Sequence, residues 1–227
     1  MKHNVKILAA ILVLVVISAF AGTYYYRESV QSERKPTNTA PPAAPTGQLI
    51  RSDSPSLGPE NAKITLVEFL DPECESCAAF SPTVKKILAD YDPNIRFVVR
   101  YMPLHPNSLK AATFTEAAGE QGKYWEAQKL LFEKQPEWGT PHGPPSTAKK
   151  PDIDVLFKGY AKTLGLDMEK LDAAVKENRY AAKLDRDRKD GQSLGVRRTP
   201  SFFVNGRELA RFGETELRSL IDEELKK

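Results

Sequence analysis

The chain has 227 residues, 41% of them hydrophobic, and a formal net charge of only +3. No basic block stands out that would track a phosphate backbone, so nothing points to nucleic acid as a partner. Two cysteines are too few for a disulfide-rich scaffold.

Met1-Lys2-His3-Asn4 leads into residues 5–22, which past Lys6 are nearly all apolar, with Ser18 the most polar of that remainder. A basic start followed by such a run is a targeting or membrane segment. At about 18 residues it just reaches the length a spanning helix needs. Ala19-Phe20-Ala21 has the small-x-small form of a signal-peptidase site, so cleavage near Ala21 and a soluble product form one alternative. The length of the run and the Tyr24-Tyr25-Tyr26 that follows, suited to a membrane–water interface, favour an uncleaved single-pass anchor over residues 1–27. Basic residues stand on both sides of it (Lys2 and Lys6 before; Arg27, Arg34 and Lys35 after), so charge counting leaves orientation open. A short N-terminal tail favours placing the bulk of the chain outside the cytoplasm, where disulfides persist.

Residues 28–60 carry Pro36, Pro41, Pro42, Pro45, Pro55 and Pro59 among Ser, Thr, Asn and Ala, with no apolar periodicity. They read as a flexible tether spanning roughly 30 Å as a coil. Residues 61–227 remain, ample for one core of ordinary size.

That domain begins with an apolar strand, Ile64 to Leu70, followed at once by Cys74-Glu75-Ser76-Cys77 and a helical pattern from Ala78 to about Tyr91. Pro82 falls inside that helix and should bend it. Ile95 to Tyr101 is the next strand, ended by Pro103. Helical patterns then run from Ser108 to Glu120, through Tyr124, Ala127 and Leu131, from Ile153 to Leu164, and from Leu171 to Val175, with a charged stretch through Lys189. A proline-rich loop interrupts this block between Lys134 and Pro151. Strands return at Ser201 to Val204 and at Arg207 to Arg211, joined by an Asn205-Gly206 hairpin turn, and a helix from Glu214 to about Leu225 closes the chain. The order predicts an α/β fold: a mixed sheet flanked by helices, with an inserted helical subdomain at about residues 105–190.

A Cys-x-x-Cys pair where a strand meets a helix reads as a working dithiol. The first sulfur sits among unpaired N–H groups at the positive end of the helix dipole, which favours its thiolate. The second, one turn on, can attack a mixed disulfide formed by the first. A zinc site is half supplied at best, because no second cysteine pair or spaced histidine pair completes a tetrahedral shell. A copper(I) carrier using the two sulfurs alone is the alternative from a different class. Alternation along the strand sets Glu68 opposite Val67 and Phe69, which suits an exposed position as well as a buried one. His105, flanked by prolines, and His142, in the proline loop, read as structural or surface residues. Trp125 and Trp138 read as core and loop anchors.

Taken together, these residues resemble the thioredoxin superfamily, in its DsbA-type branch. Val67-Glu68-Phe69, Cys74-x-x-Cys77 and Pro82 match one family motif. Pro103-Leu104-His105-Pro106-Asn107-Ser108 resembles the stretch that opens the family's helical insertion. Gly195-Val196 with Thr199-Pro200-Ser201-Phe202-Phe203-Val204-Asn205-Gly206 resembles its cis-proline loop and hairpin. The resemblance implies Cys74 as nucleophile and Cys77 as resolving thiol, with no cofactor beyond the Cys74–Cys77 disulfide. It implies a cis Pro200 that presents the Thr199 backbone to disulfide and substrate. It implies a Glu68 buried behind Cys77, where a carboxylate can move a proton.

The implied activity is a thiol–disulfide oxidoreductase acting on exported proteins at the outer face of the inner (cytoplasmic) membrane. It would be a disulfide-forming oxidase reoxidised by a membrane partner of the DsbB or VKOR type. An isomerase or reductase, and a redox module dedicated to one client, are the alternatives within the same chemistry. Two departures bear on strength. Glu75-Ser76 stands where strong oxidants carry Pro-His, and Glu73 precedes the pair; both acids should raise the Cys74 pKa. Arg197-Arg198 before Thr199 should oppose them, and the balance predicts a weaker oxidant than the Pro-His enzymes.

Overall fold

A computed structural model describes residues 18, 20–26, 44–140 and 152–227. The chain divides into two compact units, Met1–Pro41 and Pro42–Lys227. In the first, residues 20–26 are helical, with Phe20, Tyr24, Tyr25 and Tyr26 exposed. Among the described residues no helix is long and apolar enough to cross a membrane. Most of the apolar run at 5–22, the 28–43 stretch and His142 lie outside the described residues.

The second unit begins earlier than composition indicates. A short helix α1 (Thr46–Leu49) and strand β1 (Ser56–Leu57) precede β2 (Ile64–Leu70), α2 (Glu75–Tyr91) and β3 (Ile95–Tyr101). The tether expected over 28–60 is corrected here, because residues 44–60 are held to the domain. The Ala44 N–H donates to the Gly206 carbonyl at 2.8 Å, Leu49 is 3% exposed, and β1 pairs antiparallel with β3. A single buried leucine and backbone pairing leave no periodic trace in a proline-rich sequence.

After β3 come α3 (Ser108–Gly119), α4 (Tyr124–Glu133), α5 (Gln135–Trp138), α6 (Ile153–Thr163), α7 (Met168–Lys176) and α8 (Ala181–Ser193). The chain then returns through β4 (Ser201–Val204), β5 (Arg207–Glu208) and α9 (Glu214–Leu225). The sheet order is β1-β3-β2-β4-β5, with β2 and β3 parallel and the other pairings antiparallel. Parallel β2 and β3 need a crossover, which α2 supplies. Asn205 and Gly206 both take positive φ, 47° and 87°, which a tight hairpin between β4 and β5 requires. The expected strand to Arg211 is shorter, ending at Glu208. The charged stretch after Val175 proves to be helix α8, and α2 runs on through Pro82.

Both faces of the sheet are covered. Ile64, Leu66 and Leu70 face the main core with Ile87, Leu131, Leu184 and Ile221, while Val67 and Phe69 face a smaller cluster with Leu49, Val98, Met102, Val196 and Phe203. An acid alternating with Val67 and Phe69 therefore has no solvent side to reach, which decides the position of Glu68. The smaller cluster is bordered by a buried charge network. Arg100, 0% exposed, donates to Asp187 (2.9 Å), to Asp190 (2.5 Å) and to the Gln48 carbonyl (2.6 Å), and Arg51 forks onto Asp190. The α1 segment, β3 and α8 are thus tied by one guanidinium.

Candidate active site

Strand β2 ends at Leu70, and the next residues turn so that the Cys74 N–H reaches the Asp71 carbonyl at 3.0 Å. Cys74 is the N-cap of α2 and is 8% exposed; Cys77 lies one turn inside at 1%. Both are thiols in this structure. The Thr199–Pro200 bond is cis, and the Cys74 thiol donates to the Thr199 carbonyl at 3.3 Å. The structure therefore brings Cys74, Cys77, Thr199 and Pro200 to one point, where the α2 N-terminus meets the start of β4.

The two sulfurs are driven apart chemically. A hydrogen bond from the Cys77 thiol, one from the Thr199 side chain, and the N–H groups of Cys77 and Ser76 outweigh partial burial and bring Cys74 down from 9.0 to about 5. These donors belong to the first turn of a helix, where an anion is favoured. Burial above all, then the Cys74 sulfur and the Glu68 charge, push Cys77 well above its ordinary range. Glu68, 5% exposed on β2, is raised to about 8 by burial first and the Cys74 charge second. At neutral pH the site thus combines a thiolate at Cys74, a thiol at Cys77 and a proton on Glu68.

Glu73 is not among the leading influences on the thiolate, although its sequence position suggests it would be. It is buried, and its carboxylate accepts from the Asn107 N–H (2.5 Å) and Nδ2 (3.0 Å) and from the Thr140 N–H and hydroxyl (2.7 Å each). Four donors spend its charge on fastening α3 and the end of α5 to the active-site turn. Asp71 works likewise beside it. Wholly buried, it accepts from the N–H groups of Glu73 (2.8 Å), Leu104 (2.6 Å) and His105 (3.2 Å), and its Oδ2 lies 2.7 Å from His105 Nδ1. Burial lowers the His105 pKa, but Asp71 outweighs it and the net direction is upward. Sequence reading missed Asp71; the only signal was an acid at a strand end opposite the Pro103–Ser108 loop. Trp138 is buried with its indole N–H on the Leu131 carbonyl (3.0 Å), and Trp125 packs on Phe97 and Tyr124. Among the described residues no group of three or more His, Cys, Asp or Glu side chains is placed to hold a metal ion.

Comparison with known proteins agrees with this geometry. Residues 51–223 match a family model described as Thioredoxin. A thioredoxin-like oxidoreductase from Silicibacter pomeroyi superposes with a TM-score of 0.65 at 28% identity, covering 81% of this chain and 99% of that one. BdbD from Bacillus subtilis superposes at 0.66 and 25% identity, covering 82% and 97%. A curated relative from Herminiimonas arsenicoxydans, named Na(+)/H(+) antiporter NhaA, is 31% identical over 204 residues, which is 88% of this chain but only 30% of that protein. The greater part of that relative lies outside the matched stretch, and its antiport is a property of the longer protein.

Proposed function

The chain belongs to the thioredoxin family, and from that premise we propose that it oxidises thiol pairs in exported proteins by disulfide exchange through Cys74 and Cys77. A thiol–disulfide oxidoreductase of thioredoxin type follows from the family and the dithiol; the direction of electron flow is our reading. The observation that supports it is the depression of Cys74 to about 5 beside a Cys77 pushed upward. A stabilised thiolate stabilises the reduced protein and so makes its disulfide a stronger oxidant.

In the reaction, a client thiolate attacks Cys74 Sγ of the Cys74–Cys77 disulfide. The client–Cys74 bond forms, the Cys74–Cys77 bond breaks, and the electron pair leaves on Cys77. Cys77 favours its protonated form, and Glu68, still carrying a proton at neutral pH, supplies one. A second client thiolate then attacks the client sulfur of the mixed disulfide, and Cys74 departs as a stabilised thiolate. The client gains a disulfide, and the protein holds the two electrons as a dithiol. Thr199 and the cis Pro200 border the reacting sulfur and offer backbone to an extended client segment.

The setting we propose is an anchor in the inner membrane through residues 5–22, with the domain on the periplasmic side. Reoxidation there falls to a quinone-linked membrane partner of the DsbB or VKOR type. Equilibration of the full chain with glutathione tests the direction. A Cys74 pKa between those of thioredoxin and DsbA places the potential between about −270 and about −120 mV, nearer the upper value. A potential at or below about −270 mV would make the protein a reductase instead. Copper(I) held stoichiometrically against a strong chelator would favour the carrier reading.

A further inference from the structure

Arg197 and Arg198 are left over when the site has been accounted for. Neither is among the leading causes of the low Cys74 pKa. Both are exposed, and neither has an ion-pair partner among the described residues. Apart from half-buried Arg96, the other described arginines hold carboxylates: Arg179 holds Glu120 and Glu177, Arg207 holds Glu224, and Arg218 holds Asp90.

The fold holds the backbone of this pair beside the carbonyl that meets the sulfur. Helix α8 ends at Ser193, Gly195 turns the chain at φ 84°, and Val196 is buried in the smaller cluster under the sheet. On the other side the Ser201 hydroxyl donates to the Arg198 carbonyl at 2.9 Å. The two guanidiniums therefore stand on a short, doubly fastened segment, one and two residues before the carbonyl that touches Cys74. At about 3.8 Å between successive Cα atoms, a client segment lying along that carbonyl passes them within a few residues of its own cysteine.

We infer that Arg197 and Arg198 form a docking edge for client segments with aspartate or glutamate close to the reacting cysteine. This rests on the exchange reaction proposed above. An unpaired guanidinium is weakly hydrated and presents a fork that fits a carboxylate. The net charge of +3 is too small to give such a preference by itself, so selectivity belongs to the edge. Glu75, exposed at the first turn of α2, supplies the opposite sign on the helix side of the same sulfur.

The test uses the full chain, oxidised beforehand, and three dithiol peptides identical except for flanks of Asp and Glu, of Ser, or of Lys. The acidic peptide is oxidised faster than the lysine peptide by about fivefold at low ionic strength, and the ratio falls toward one in about 0.5 M salt. In the double variant Arg197→Ser, Arg198→Ser the ratio is flat at both salt concentrations, and in Arg197→Lys, Arg198→Lys most of it returns at low salt. The ratio is the readout, so any general loss of activity cancels. Equal rates in the unaltered chain, or a preference that survives the double serine variant, would overturn the inference while leaving the exchange reaction standing. So would a double variant that loses binding to phosphatidylglycerol vesicles with its peptide ratio unchanged, since the arginines would then serve a lipid surface. Failure to oxidise even dithiothreitol would overturn both readings.

Discussion

Replacing Glu68 with glutamine removes a titration that the fold makes costly. Glu68 is raised from 4.5 to about 8, with burial as the first cause and the Cys74 charge as the second. A carboxyl whose folded pKa lies above its unfolded one keeps a proton that the unfolded chain has already lost. The unfolded state then binds fewer protons, and stability falls by about 1.4 kcal/mol per pH unit between the two values. From pH 4.5 to 7 this reaches about 3 kcal/mol, and it levels off near pH 8. Glu68→Gln should therefore match the parent protein below about pH 4.5 and exceed it by about 3 kcal/mol at pH 7. The measurement is urea unfolding of both proteins in the reduced, dithiol form at half-unit steps from pH 4 to 9. In the disulfide form the Cys74 charge is absent, so burial alone acts and the plateau should come somewhat earlier. Parallel stability curves for the two proteins from pH 5 to 8 would refute the reasoning. The same variant should slow release of Cys77 from the disulfide, because the nearest proton is gone.

Cys77→Ala removes the largest cause of the low Cys74 pKa, so the midpoint of iodoacetamide alkylation against pH should move upward from about 5, and mixed disulfides with clients should accumulate. Arg100→Met strips the wholly buried Asp187 of its main partner and should cost about 3 kcal/mol by urea unfolding. The double change Arg100→Met, Asp187→Leu should recover much of that, since a buried pair replaced by apolar groups is nearly neutral. Leu49→Ala should cost about 2 kcal/mol in the same assay, where a free tether predicts no change.

The dithiol was legible because its chemistry is local: a Cys-x-x-Cys where an apolar strand gives way to a helical pattern needs no long-range contact to be read. The strands Ile64–Leu70, Ile95–Tyr101 and Ser201–Val204 were legible for the same reason. Alternation could not place Glu68, because an acid facing solvent and one facing a second packed layer leave the same pattern. The layer that covers the Glu68 side, away from Val67 and Phe69, is supplied by Ile87, Leu131, Leu184 and Ile221, distant in sequence. Helix α8 was obscured by its charge, yet Asp187 and Asp190 are buried against Arg100 and belong to the interior. Residues 44–60 were hidden by their prolines. What holds them is backbone pairing with β3 and side chains reaching from Asp190 and Arg100, none of it periodic.

The acids around the cysteines show why counting charges along the sequence misjudges this site. Asp71, Glu73 and Glu75 surround Cys74 within four residues, and a field built from their formal charges disfavours a thiolate. The fold cancels two of them before they act. Asp71 meets three N–H groups and His105, and Glu73 meets Asn107 and Thr140, so each carboxylate is compensated by donors at hydrogen-bond distance. Glu75 remains exposed at the first turn of α2, where water screens its charge and the helix dipole favours it. The N–H groups of Ser76 and Cys77 and the Cys77 thiol have no such competitor, being fixed at the sulfur itself. Short-range oriented donors therefore prevail over nearby net charge. The same buried carboxylates that spare the thiolate also fasten the Pro103–Ser108 loop and the end of α5 to the active-site turn. A site rich in acids can consequently stabilise an anion, and the imidazole that Glu75-Ser76 lacks is not required for it.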